Sequence, residues 1–312
     1  MERQPPNTIR LSAESVLQEY QVTKEWIRSL NIGEPNATRY GKYDGFVRRL
    51  IEAQNKGLLN DFETQNINSI LHTFYEIDSI NFLRKAFDKK EIPGLSSAIQ
   101  KLLHGPETYL DENENSNEAR NIGFELSTAA SILNAGFPID IDSIYDIKTN
   151  VLNTEVYIEC KRPQNMKRLI KRTNEAIVQL EKRLALSTDQ NAIGIVMISL
   201  DKILNPSMFI REFKNDNEFT RFLSELTNQL ASYLTHKLKQ DWNPRILAVT
   251  SQIRVPVRLQ DDGIRFGYGS FTRDLLFPKS SNADQYLFKY YREKFLMGWN
   301  RRFHEFPSIP TS

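Results

Sequence analysis

Cysteine is almost missing from this chain, and the absence excludes a good deal. Cys160 stands alone, so no intramolecular disulfide can form, and the four histidines (His72, His104, His236 and His304) are scattered without the spacing of a zinc site. No run approaches the roughly 18 uncharged apolar residues of a membrane span, and the opening "MERQPPNTIR" has no apolar core of a signal peptide. These absences point to a reducing, cytoplasmic setting with no membrane partner. Neither a phosphate-cradling P-loop nor a GxGxxG turn is present, and the hydroxyls and histidines suggest no catalytic triad. Charge of one sign is also scarce: a net +2 is too little for a polycation, so any nucleic-acid surface must be local.

What is present is an ordinary globular mixture, 40% hydrophobic and 26% charged, in 312 residues, enough for two modest domains. Residues 1–9 hold two prolines and few apolar groups and read as a flexible tail. From 10 to 105 apolar residues recur at three and four, as in Leu83, Ala86 and Phe87, which predicts an all-helical domain. "INSILHTFYEI" and "SINFLRKAFDKK" read there as two separate helices. Residues 106–116, with Asp111, Glu112 and Glu114, read as a solvated acidic linker.

From 117 to 312 the pattern becomes mixed. Ile122, Leu126, Ala129, Ala130 and Leu133 form one apolar helical stripe, and Gly136 stands where a C′ glycine would end it. Strands are predicted at "FPIDID", "SIYDIKTNV" and "TEVYIECK", the last two joined by a tight turn at Leu152-Asn153. A helix "NMKRLIKRTNEAIVQLEKRLAL" precedes "AIGIVMISL", an apolar run of the kind buried on both faces of a sheet. Another helix, the strand "RILAVTSQIRVPV" and a helical C-terminal segment, "YLFKYYREKFLMGWNRRF", follow. The fold class is therefore α/β with a mixed central sheet flanked by helices, preceded by the helical domain.

The chemistry concentrates in "YIECKRP". In a strand Glu159 and Lys161 share a face while Ile158 and Cys160 point the other way. Asp146 lies on the neighbouring hairpin strand at a separation that lets it meet Glu159 across the pair, and Glu125 sits about 60° off the apolar stripe of its helix. Carboxylates so gathered suit Mg²⁺ or Mn²⁺, and a lysine beside them can orient water or stabilise charge on a phosphate under attack.

Glu125 in "RNIGFELSTAASILNAGF", Asp146 in "SIYDIK", "ECK" at Glu159 to Lys161 and Gln179 in "EAIVQLEKRL" follow one another in an order that resembles the PD-(D/E)xK, or restriction-endonuclease-like, nuclease superfamily. The resemblance covers residues 117–200, extending to 257 if the later strands complete the sheet. It implies a restriction-endonuclease-like core and a Mg²⁺-dependent (or Mn²⁺-dependent) endonuclease, DNA favoured over RNA, suited to defence against foreign DNA or to DNA repair. It implies metal ligands at Asp146, Glu159, the Cys160 backbone carbonyl and Glu125, with Lys161 and Gln179 in the catalytic set. Tyr145 stands where the family has proline, and Asp140, which follows "PI", and Asp142 compete with Asp146 for the metal role.

From Lys161 to Arg183 there are eight basic residues against Glu175 and Glu181, a local +6. Beside a phosphodiesterase site Arg162, Lys167, Arg168, Lys171 and Arg172 are the candidates to hold backbone phosphates. Two alternatives stay open: a catalytically silent nuclease-fold module for binding or assembly, its helical domain docking a protein partner, and an RNA-specific nuclease. Homo-oligomerisation is also left open.

Overall fold

The computed structural model describes residues 7–10, 12–109, 111–113, 116–141, 146–206, 210–238, 242–260, 265–276, 282–298 and 302–305. The N-terminal region is helical: α1 (Ala13–Ser29), α2 (Arg39–Asn55), α3 (Leu59–Phe87) and α4 (Leu95–Leu103). The two helices expected around His72 and Phe82 are one, the 29-residue α3, because no glycine or proline separates them. Mixed structure follows: α5 (Glu118–Asn134), β2 (Ile139–Asp140), β3 (Ile147–Val151), β4 (Thr154–Lys161), α6 (Met166–Leu186), β5 (Ile193–Ser199), α7 (Asp201–Leu204), β6 (Arg211–Phe213), α8 (Asp216–Lys237), β7 (Ile246–Leu259), β8 (Arg265–Leu276) and α9 (Asn282–Gly298). Two short strands lie at the ends, β1 (Asn7–Arg10) and β9 (Arg302–Glu305).

Among the described residues nine strands form one sheet in the order β1-β9-β8-β7-β5-β4-β3-β2, with β6 also on β7. Its centre, β4-β5-β7, is parallel, and antiparallel pairs flank it on both sides. Residues 7–9 of the expected flexible tail are therefore in the sheet, through the parallel β1–β9 pair. The expected C-terminal helix stops at Gly298, and Arg302 belongs to a strand.

Both faces of the sheet are covered, and the alternation along the strands assigns side chains to each. Ile158 and Cys160 of β4 and Ile195 and Met197 of β5 join a cluster with the N-terminal helices, α5 and α9. Tyr157, Val196 and Ile198 face the other way, onto Leu169, Ala176 and Leu180 of α6 and Leu223 and Leu230 of α8. This double burial is why β5 reads as an unbroken apolar run. The segment expected as a solvated linker is partly interior: Tyr109 and Glu112 are buried against it.

Two local devices fix the elements that carry the candidate site. Gly136 (φ 91°) ends α5 in a Schellman motif, with Phe137 N–H donating to Ile132 O and Gly136 N–H to Leu133 O. Leu152 and Asn153 both have positive φ (51° and 65°), the twist that suits a two-residue hairpin, and the ladder they close runs from Val151–Thr154 to Ile147–Ile158.

Candidate functional site

One further step along that ladder sets Asp146 opposite Glu159. The Cys160 backbone N–H donates to Asp146 Oδ2 at 2.6 Å, which pins the carboxylate to the end of β4. Lys161 Nζ lies 2.9 Å from Glu159 Oε2 and 3.4 Å from Asp146 Oδ2, so the ammonium joins the two acids. The Glu159 side chain is 0% exposed, whereas Asp146 keeps 20% and Lys161 16%: the cluster opens to solvent on the aspartate and lysine side.

Glu125 approaches from α5. Burial raises its carboxyl from the ordinary 4.5, Asp146 raises it further and Lys161 opposes, leaving it at about 8. Burial is the main cause, and the contributions of Asp146 and Lys161 show that Glu125 senses both charges. Cys160 is buried in the core, and desolvation pushes its thiol well above the usual range, with Asp146 and Glu125 adding to the effect. An inert thiol of this kind is a packing group, not a nucleophile.

Asp140 is not part of the cluster. It lies on β2 opposite Lys148, with β3 between it and β4. Asp142 falls outside the described residues. Gln179 is on the exposed face of α6 and makes no polar contact with the cluster among the described residues.

Arg183 of α6 takes the place expected for Gln179, ion-paired with Glu159 Oε1 and 13% exposed. The sequence carried a trace of this. Residue 183 is seven positions after Ala176 and three after Leu180, on the buried stripe, so it was never one of the outward basic groups. A fully buried carboxylate needs such a partner, because an unpaired one is prohibitively costly.

Arg162 is likewise not among the outward groups. Its guanidinium is 2% exposed, clamps Glu112 through both terminal nitrogens and lies 5.1 Å over the Tyr109 ring, so it is not available to hold a phosphate. Lys167 is exposed, Arg168 partly so, and Lys171 and Arg172 remain 60% and 47% exposed although both approach Glu175. The basic face of α6 is thus real but smaller than the residue count implied.

The donor set at the end of β4 is all oxygen, the kind a hard divalent cation prefers. Among the described residues no three His, Cys, Asp or Glu side chains are grouped closely enough to hold a metal ion. No family model, curated protein or solved structure matches the chain.

Proposed function

We propose that the chain is a Mg²⁺- or Mn²⁺-dependent nuclease with a restriction-endonuclease-like core, hydrolysing phosphodiester bonds with DNA favoured over RNA. The observation that carries the reading is the position of Lys161 Nζ, 2.9 Å from Glu159 and 3.4 Å from Asp146 where the hairpin ends. The order of elements supports it: helix with Glu125, hairpin with Asp146 and the ExK strand, then helix α6.

Asp146 would hold the ion together with Glu125 or Glu159 and the Cys160 carbonyl. When bound, such an ion lowers the pKa of a water and neutralises charge growing on the phosphate. Asp146 is oriented by the Cys160 N–H before any ligand arrives, which removes an ordering cost. Lys161 presents its ammonium at the solvent-open side, where it can orient the attacking water and stabilise negative charge on a phosphoryl oxygen. Lys167, Arg168, Lys171 and Arg172 would hold the nucleic-acid backbone.

The test is a screen of linear, circular and single-stranded DNA and of RNA with Mg²⁺, Mn²⁺ or chelator. Metal-dependent cleavage is expected, with Lys161→Ala and Glu159→Gln each lowering it about a thousandfold, roughly 4 kcal/mol of barrier, while the circular-dichroism spectrum is retained. Unchanged cleavage in both folded variants would sink the assignment.

One observation favours a second reading, a silent module that binds nucleic acid without cutting it. Glu159 already has one oxygen hydrogen-bonded by Lys161 and the other beside the Arg183 guanidinium, an arrangement that charge pairing alone accounts for. That module would show no cleavage with either metal in the same screen, together with salt-sensitive binding. Cleavage of RNA alone would identify the RNA-specific nuclease.

A further inference from the structure

On the other side of the sheet from α6, a cavity of about 50 Å³ lies between the N-terminal helices and the sheet, at the C-terminal ends of β4 and β5 and beside the middle of β7. Ligands of parallel sheets collect at such strand ends. Nothing in the proposed cleavage chemistry uses this space.

Its charges do not balance. Arg39 and Arg120 share Glu76, at 3.2 and 3.1 Å, and although burial raises the Glu76 carboxyl the guanidiniums outweigh it and bring it to about 2. Arg162 and Lys202 share Glu112 in the same way. Arg120 also reaches Glu112, at 4.0 Å, so each acid is divided among two or three cations. Arg254 is left over: its guanidinium stacks 4.8 Å over the Tyr75 ring and forms no ion pair or hydrogen bond among the described residues. The acids near it are Asp78 and Asp201, and Asp201 Oδ1 already accepts the Arg254 backbone N–H at 2.6 Å. The cavity itself is lined by four cations, Arg39, Arg120, Arg162 and Arg254, and by two carboxylates, Glu76 and Asp201.

Polar groups there are also unsatisfied. Gln252, 2% exposed, lines the cavity with its Oε1 lacking any hydrogen bond, and the Ser79 hydroxyl on the opposite wall lacks one too. An amide turned about its last bond would aim its N–H₂ inward instead, since the two ends are interchangeable in shape. Donors from Arg254, Gln252 and Ser79 would then converge.

We propose that this cavity binds a small tetrahedral oxyanion of the phosphate class, gripped by the Arg254 guanidinium. A guanidinium fork matches two oxygens of such an anion, and the added negative charge offsets the surplus cation. The size agrees: one water occupies roughly 10–15 Å³ of such space, so the cavity holds an ion with three or four oxygens but no nucleoside. Because Arg254 and Lys161 lie on different faces, this binding is independent of phosphodiester cleavage.

The experiment is isothermal titration of the full chain with inorganic phosphate in metal-free buffer, chloride held at matched ionic strength. Saturable one-to-one binding is expected for the wild type and for Lys161→Ala. Arg254→Gln should weaken it at least tenfold. Gln252→Met, which retains the volume and cannot donate, should weaken it severalfold and decides the matter should Arg254→Gln fail to fold. No saturable binding by the wild type, or wild-type affinity in Gln252→Met and in any folded Arg254→Gln, overturns the proposal. So does binding lost in Lys161→Ala, which would place the anion at the carboxylate cluster.

Discussion

Asp146 is clipped to Cys160 by a 2.6 Å hydrogen bond from the backbone amide, and this contact joins the two strands beyond the last regular pair of the hairpin ladder. A carboxylate that accepts a main-chain N–H is oriented without depending on a flexible partner. The lysine that reaches both acids is then the adjustable member of the cluster.

Glu159 and Arg183 should be strongly coupled in stability. Glu159→Ala takes from the largely enclosed Arg183 its pairing with Glu159 and leaves Lys161 only Asp146, and breaking a buried pair from one side costs about 3–5 kcal/mol. Urea unfolding of Glu159→Ala, Arg183→Ala and the double variant is expected to show the double losing clearly less than the sum of the singles. Additive losses would mean the pair is not formed.

Burial separates Arg162 from the outward basic groups. Lys171→Gln and Arg172→Gln should each reduce the salt slope of nucleic-acid binding by about one ion, measured by fluorescence anisotropy across a salt series. Arg162→Gln should leave the slope unchanged and lower the unfolding free energy instead, since the buried Glu112 loses its two-pronged partner and keeps only the longer contacts with Lys202 and Arg120.

His72 should make the protein sensitive to mild acid. Its Nε2 lies 2.8 Å from Glu107 O and 3.3 Å from the Tyr43 hydroxyl; burial lowers its pKa from 6.5, opposed by Glu76 and the Glu107 carbonyl, while nearby Arg120 and Arg39 lower it further. The unfolded chain therefore binds the proton more readily. Stability contributed by the neutral ring is full above 6.5 and is lost as pH falls below it toward the folded value. Urea midpoints at about pH 7, 6 and 5 should fall less steeply in His72→Gln than in the wild type.

Leu152 is the wrong residue for its turn. It is 54% exposed and holds φ 51°, a region that strains residues other than glycine and asparagine. Leu152→Asn is expected to stabilise by about 0.5–1 kcal/mol, seen as a thermal midpoint roughly 2 °C higher. A lower midpoint would show that the leucine makes a contact worth more than the strain.

Legibility in the sequence followed physical locality. The hairpin, the Gly136 cap and the apolar strand β5 are written in neighbouring residues, and the structure places them where periodicity did. Asp146 facing Glu159 follows from the same short-range rule. The failures are long-range. Nothing near Arg162 announces Glu112, 50 residues earlier, and counting charges along α6 does not tell an outward Lys171 from an inward Arg183. The break expected within α3 came from reading two apolar runs as two elements where no residue interrupts the helix. Gln179 was placed by resemblance alone, and the helix turns it to solvent.

Lys161 and Arg162 are successive residues, yet one sits with Glu159 and Asp146 and the other with Glu112 and Tyr109. A single peptide plane is thus a shared wall between two compartments on opposite sides of the sheet. The alternation of side chains along the strand sends the two to opposite faces, so each meets its own set of partners. Substitutions at these two neighbours therefore report on separate sides of the sheet: Lys161→Ala on the carboxylate cluster, Arg162→Gln on the buried charges around Glu112.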